Sequence, residues 1–350
     1  MLKQRHDIKS QTLASLRQHL QEAGYPDYAA RQVFNWVYKK REESFFSMTN
    51  LSRSLRHYLK DNFYFSSLRL VKERQSRDGS VKFLFALEDK TYIESVLIPE
   101  GKRNTVCLSS QVGCRFGCRF CASGLLGFKR NLTPAEIVNQ CLYVSDWLKR
   151  REAKLTNVVF MGIGEPFDNY GNVIKALRII LEPQGMYIGK RKVVISTCGL
   201  APAIKAFAAE NIGVGLSISL HAAKDSLRNI IMPVNKIYPL SELFSAVRLF
   251  NRRCKYSLTF EYIMISNFNI SKEDVLRLKK MVKGLNYKIN LIPYNPVSSF
   301  NWQPPSSGEI FRFCRWLKEE GVFFTLRRPR GQDIEGACGQ LRLRQKQGKI

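Results

Sequence analysis

Three cysteines on one short segment are the most chemically pointed feature of the chain: Cys114-Arg115-Phe116-Gly117-Cys118-Arg119-Phe120-Cys121. The Cys-x3-Cys-x2-Cys spacing puts three thiolates on a single loop, enough to surround one face of an iron-sulfur cube. A [4Fe-4S] cluster ordinarily takes four cysteines. Three leave one iron open to a substrate, by the logic that keeps one position of a catalytic zinc free. Two plainer readings stand beside this one, a zinc site completed by a distant residue and a coincidence of core cysteines. Zinc is weakened by the absence of a second Cys-x2-Cys or a His pair. Arg115, Arg119, Lys129 and Arg130 flank the loop, and no acidic residue occurs from 101 to 135, which suits an anionic cluster beside an anionic substrate.

Other residues carry possible chemistry with plainer alternatives. Gly164-Glu165 offers a close backbone approach and a carboxylate that can accept hydrogen bonds from an ammonium group; a tight turn with a solvated Glu fits as well. Alternation through residues 213–221 puts Val214, Leu216, Ile218 and Leu220 on one face and Ser217, Ser219 and His221 on the other, as a ligand wall would. A lone His at a strand end is more often structural. Glu94 shares its face with Tyr92, Val96 and Ile98, where a carboxylate can serve as a proton acceptor or pair at the rim with a lysine. Cys107 and Cys338 are by default inert thiols. Cys141, Cys198, Cys254 and Cys314 match no motif.

These residues need a scaffold, and the chain is long enough for one of about two units. It has 350 residues, 45% hydrophobic, with 56 Lys and Arg against 29 Asp and Glu, a net charge of +27. That surplus points to a polyanionic partner, nucleic acid ahead of anionic membrane. No apolar run approaches the ~18 residues of a membrane span, and the first thirty residues hold no secretory apolar core. A soluble, cytoplasmic protein is expected, whose nine cysteines serve metal, redox or core roles rather than a disulfide framework.

Leucines at helical spacing over 10–22 and a second apolar face over 28–39 predict a small helical unit, decorated by Arg31, Lys39, Lys40, Arg41, Arg53, Arg56 and Lys60. From 68 to 99 the period becomes strand-like, with an Asp78-Gly79 turn, and predicts an antiparallel meander. Beyond 104, short β-rich runs alternate with helices, with strands expected over 105–109, 157–162, 192–197, 213–221, 257–265, 288–294 and 323–327. Capping boxes at Thr133 to Glu136 and Ser306 to Glu309 start two of the helices. The fold class is α/β, a partial (β/α)6 barrel with an N-terminal helical accessory domain and a β-meander extension, and its functional groups belong at the C-terminal strand ends. The domains are read as 1–64, 65–104, 105–328 and 329–350.

The cysteine loop, with Phe120 before its last cysteine, resembles the radical S-adenosylmethionine (SAM) superfamily. The longer strings Ser109 to Cys114, Gly127 to Thr133, Phe160 to Pro166, Ser217 to His221, Met232 to Asn235, Asn290 to Pro296 and Asp333 to Leu341 are similar to the RlmN/Cfr family of RNA adenine methyltransferases, over nearly the whole chain. The resemblance implies a [4Fe-4S] cluster on Cys114, Cys118 and Cys121, and SAM bound by Gly164, Glu165, Ser196, Ser219, Leu220, His221 and Asn295. It makes Cys338 the methyl-accepting cysteine, Cys107 its resolving partner in a transient disulfide, and Glu94 the proton acceptor. Two SAM are used per methylation, the product is 2-methyladenosine in 23S rRNA and tRNA, the electron donor is of the flavodoxin or ferredoxin type, and the chain is a monomer. Glu165-Pro166 and Arg330 to Asp333 look more like the C2 branch than the C8 branch, while Ile163, Cys198 and Gly336 depart from the common pattern. C8 methylation, radical chemistry without methyl transfer, and an iron-sulfur RNA-binding protein remain the alternatives.

Overall fold

Thr12 and Ser52 turn the first apolar periodicities into helices. Each hydroxyl accepts from the backbone N–H three residues on, capping α1 (Leu13–Glu22) and α3 (Arg53–Asn62). Between them α2 (Asp27–Asn35) widens into a π-turn over Trp36–Lys40 that ends at Arg41 with φ +63°. The computed structural model describes residues 5–254, 256, 258–296, 301–327 and 330–336. Among these, Arg41 departs from its expected place on a basic surface. It turns inward to Ser145 at 3.2 Å and Asp146 at 3.6 Å, and its burial holds its pKa below the usual arginine value.

The meander forms as β1 (Arg69–Gln75), β2 (Val81–Ala86) and β3 (Tyr92–Glu100). It does not stand apart from the barrel. The first barrel strand, β4 (Arg103–Cys107), pairs antiparallel with β3 on one side and parallel with β5 (Asn157–Phe160) on the other. The sheet continues through β6 (Val193–Thr197), β7 (Gly215–Ser219), β8 (Leu258–Met264), β9 (Tyr287–Pro293) and β10 (Phe324–Leu326), ten strands in sequence order and all parallel from β4 onward. Connecting helices α4 (Pro134–Lys149), α5 (Tyr170–Leu181), α6 (Ala201–Glu210), α7 (Asp225–Ile231), α8 (Leu240–Arg253), α9 (Lys272–Val282) and α10 (Ser307–Glu319) make six strand-helix units, the fourth carrying two helices. Among the described residues β10 pairs only with β9, so the barrel is open at that edge.

Both expected capping boxes form, and a third, Ser271 with Asp274, starts α9. One continuous apolar core runs from Ile8 in the helical unit to Val322, with Leu216, Ile218, Phe260 and Leu291 fully buried along the parallel strands. Burial of this kind stabilises by about 25 cal/mol per Å² of apolar surface. It leaves the loops at the C-terminal strand ends free to carry polar groups, and no described helix is long and apolar enough to cross a membrane.

Candidate active site

The cysteine loop follows β4 through a small hairpin, Gln111–Gly113 paired with Phe128–Asn131. Gly113 makes the hairpin possible: its φ is +81°, and a Cβ there would lie 1.8 Å from the Gly127 carbonyl oxygen. Backbone bonds from Cys121 N–H to Cys118 O and from Gly124 N–H to Cys121 O fold the loop over the barrel mouth. Arg119 N–H donates to Ile231 O and fastens the loop to the end of α7.

All three cysteines line one open cleft with a cavity volume of about 160 Å³. Desolvation pushes Cys114 up to about 12 and raises Cys118, and the neighbouring thiols add to both shifts. Three thiolates gathered there need a cation to offset their charge. Among the described residues no group of three or more His, Cys, Asp and Glu could hold a metal ion. A polynuclear cluster makes no such demand, because each sulfur takes its own iron, and the donor set fits a [4Fe-4S] cube with one open iron.

The opposite wall comes from the next strand ends. Gly164 has φ +104°, and a Cβ on it would meet Gln111 at 2.6 Å, so the backbone runs close beneath the loop. Glu165 is buried, and both its oxygens already accept backbone bonds, Oε1 from Phe167 N–H at 3.0 Å and Oε2 from Cys198 N–H at 2.8 Å. Burial raises its pKa against these two bonds. It lines the cleft together with Ser196, Ser219 and His221. The cleft therefore brings together Cys114, Cys118, Cys121, Gly164, Glu165, Ser196, Ser219 and His221.

His221 is held by its surroundings in a conformation that few non-glycine residues adopt, φ +58°. Its Nδ1 accepts from Ile263 N–H at 3.1 Å, its carbonyl from Asn269 Nδ2 at 2.7 Å, and its ring meets Phe120 edge-on at 4.5 Å. Burial lowers its pKa to about 3, so the ring is neutral at physiological pH. A folded pKa below the unfolded 6.5 means that the native state binds fewer protons, and stability present above pH 6.5 is lost as pH falls towards 3. In denaturant titrations of the metal-free chain, His221 should cost about 2 kcal/mol of stability between pH 7 and pH 5. His221→Asn, whose side chain tolerates this backbone, should lack that increment. Equal pH dependence in both proteins would contradict the assignment; the opposite contribution of Glu165 is common to the two.

The remaining expected residues that the structure describes do not line the cleft. Leu220 is fully buried, its N–H bonded to Glu261 O. Asn295, also buried, is absent from the wall, and its Oδ1 accepts from Gln332 Nε2 at 2.6 Å. Cys107 faces the same side of the sheet as Val96 and packs with Ile163, next to Met161, which lines the cleft. Glu94 lies two residues along β3 from Val96, buried and 3.4 Å from Lys82 Nζ. Cys338, with Arg342, Arg344, Lys346 and Lys349, lies outside the described residues.

Two contributors went unnoticed in the sequence. Arg228, fully buried, donates to the carbonyls of Leu220 at 3.0 Å, Cys198 at 2.7 Å and Ser219 at 3.0 Å, tying the ends of β6 and β7 together. Its pKa is lowered to about 10 by burial, which leaves it cationic beside Cys118. Glu261, central in β8, accepts from Ser217 Oγ and Asn290 Nδ2 through Oε1, while its buried Oε2 has no hydrogen-bond donor among the described residues. Arg327 Nη1 stands 3.7 Å from that oxygen. The clue was available for Glu261, a lone acid in an apolar strand, but for Arg228 only the fold supplies it.

Residues 108–278 match a family model described as the radical SAM superfamily, and residues 7–65 match one described as a ribosomal RNA large subunit methyltransferase N-terminal domain. A probable dual-specificity RNA methyltransferase RlmN of Spiroplasma citri is 46% identical over 91% of this chain and 92% of its own. The protein of the same name from Staphylococcus aureus (strain JH9) is 42% identical over 98% and 94%. The crystal structure of a radical SAM methyltransferase from Sphaerobacter thermophilus superposes with a TM-score of 0.89 at 40% identity, covering 96% of this chain and 99% of that one.

Proposed function

Because the chain belongs to the RlmN family of radical SAM RNA methyltransferases, we propose that it methylates C2 of adenosine in the peptidyl-transferase centre of 23S rRNA and in tRNA next to the anticodon. The enzyme uses a [4Fe-4S] cluster and SAM, two SAM per methylation. The observation that carries the finer reading is the cleft in which three cysteines from one loop face the polar ends of β5, β6 and β7. Glu165-Pro166 and Arg330-Gly331-Gln332-Asp333 favour C2 over C8.

Ring carbons of adenine are poor nucleophiles, so direct attack on the SAM methyl group is closed to them, and a radical route is required. Cys114, Cys118 and Cys121 would hold the cluster, whose bound reduced form supplies the electron that cleaves SAM to methionine and a 5′-deoxyadenosyl radical. Glu165, Ser196, Ser219 and His221 would orient SAM at the open iron. Cys338 receives its methyl group from the first SAM and gives up one hydrogen atom of it to the radical. The S-methylene carbon bonds to adenine C2, Glu94 takes the C2 proton, and the adduct gives up one electron, which the oxidised cluster would take back. The Cys107 thiolate then attacks the Cys338 sulfur, a disulfide forms, and the released carbon takes up a proton to complete the methyl group.

The exposed cations Arg31, Lys39, Lys40, Arg53 and Lys60 of the helical unit are the proposed phosphate contacts, and the chain works as a cytoplasmic monomer reduced by a flavodoxin- or ferredoxin-type donor. Incubation of the reduced enzyme with SAM and unmodified rRNA or tRNA, followed by nucleoside mass spectrometry, should give 2-methyladenosine from both. An 8-methyladenosine product would move the chain to the C8 chemistry, and 2-methyladenosine from one RNA alone would remove the dual specificity.

A further inference from the structure

Five hydrogen bonds spanning large sequence separations tie the described C-terminal segment, 330–336, to the barrel side. Asp78 Oδ2 accepts from Gly331 N–H at 2.8 Å, and Asp333 accepts from Ser76 Oγ at 2.5 Å and from Arg77 N–H at 3.2 Å. Gln332 reaches Asn295, and Lys82 Nζ donates to the Glu335 carbonyl at 3.3 Å. Lys82 is the unusual member. It is only 7% exposed, lies opposite Val96, which in turn lies opposite Cys107, and its ammonium is 3.4 Å from the Glu94 carboxylate. A buried ammonium costs several kcal/mol to desolvate unless its donors are used. Here they are aimed at the acid on β3 and at the backbone three residues before Cys338.

We propose that Lys82 is a positioning residue for methyl transfer, linking Glu94 to the segment that carries Cys338, with the turn at 76–78 as the outer half of the same latch. The inference rests on the roles proposed for Glu94 and Cys338. The latch brings the Glu335 carbonyl to Lys82, on the side of the sheet that carries Glu94 and Cys107. When Lys82 is lost, Glu94 keeps its place in β3 but the segment loses its inner anchor.

The test compares the full-length, cluster-loaded Lys82→Met and Lys82→Arg variants with the parent in two readouts. Amide hydrogen exchange over 331–336 in the resting protein should quicken about tenfold in Lys82→Met and stay near the parent rate in Lys82→Arg. The yield of 2-methyladenosine per 5′-deoxyadenosine in a single turnover should fall about tenfold or more in Lys82→Met and recover in Lys82→Arg, since small misplacements of reacting groups cost that much. Faster exchange throughout β2 and β3 would mark a merely structural lysine and overturn the proposal, as would parent values in both readouts. Should Lys82→Met fail to fold, Asp333→Ala at the exposed end of the latch must move both readouts in the same direction, and parent values there also overturn the proposal. RNA methylation by Cys338→Ala would instead overturn the underlying mechanism, and the exchange result would still decide the latch.

Discussion

Alanine at Cys114, Cys118 or Cys121 is expected to abolish both SAM cleavage and RNA methylation, a loss of about 10⁴-fold or more that reaches the floor of the assay. The three thiols lie on one loop and line one cleft. Two thiolates leave a second iron without a protein ligand. The variants should carry little iron and sulfide as isolated, and chelation of iron from the parent should have the same effect. Their folding should survive, because Cys114, Cys118 and Cys121 are only half-buried and the core from Ile8 to Val322 is built without them. A variant that kept full iron content and 5′-deoxyadenosine formation would show that the loop is not the cluster site.

Cys338→Ala should leave SAM and RNA binding in place yet reduce RNA methylation to background, again by about 10⁴-fold or more, because no other sulfur is proposed to carry the methyl group. Cys107→Ala should behave differently. With no resolving thiolate, the bond between the Cys338 sulfur and the new carbon cannot be broken, and enzyme covalently joined to RNA should accumulate, visible on a denaturing gel and sensitive to nuclease. Such an adduct would require both cysteines in the roles assigned to them. Free methylated RNA from either variant would contradict those roles.

Much of this scaffold was legible because its signals are local. Alternation marked the parallel strands to within a few residues, the capping hydroxyls of Thr133 and Ser306 marked helix starts, and the Cys114 to Cys121 spacing marked the loop. What the sequence concealed depends on contacts between distant segments. Lys82 and Glu335 are 253 residues apart, and Arg41 and Asp146 more than a hundred, so no periodicity announces either contact. Arg41 looked like one more basic surface residue until α4 packed against it. Glu165 looked like a carboxylate waiting for a ligand, yet it also braces the ends of β5 and β6 through Phe167 and Cys198. Arg228 could not have been singled out from the other cations, because only the folded ends of β6 and β7 turn three carbonyls toward it.

The central claim is that the methyl group reaches RNA as a methylene carried by Cys338, and isotope tracing tests it most directly. With SAM bearing a trideuterated methyl group, and Cys338 first demethylated or loaded with that same SAM, one deuterium should appear in 5′-deoxyadenosine. The adenosine methyl group should hold two, its third hydrogen coming from solvent. Retention of all three deuteriums in the RNA product, with none in 5′-deoxyadenosine, would mean direct methyl transfer and would contradict the account.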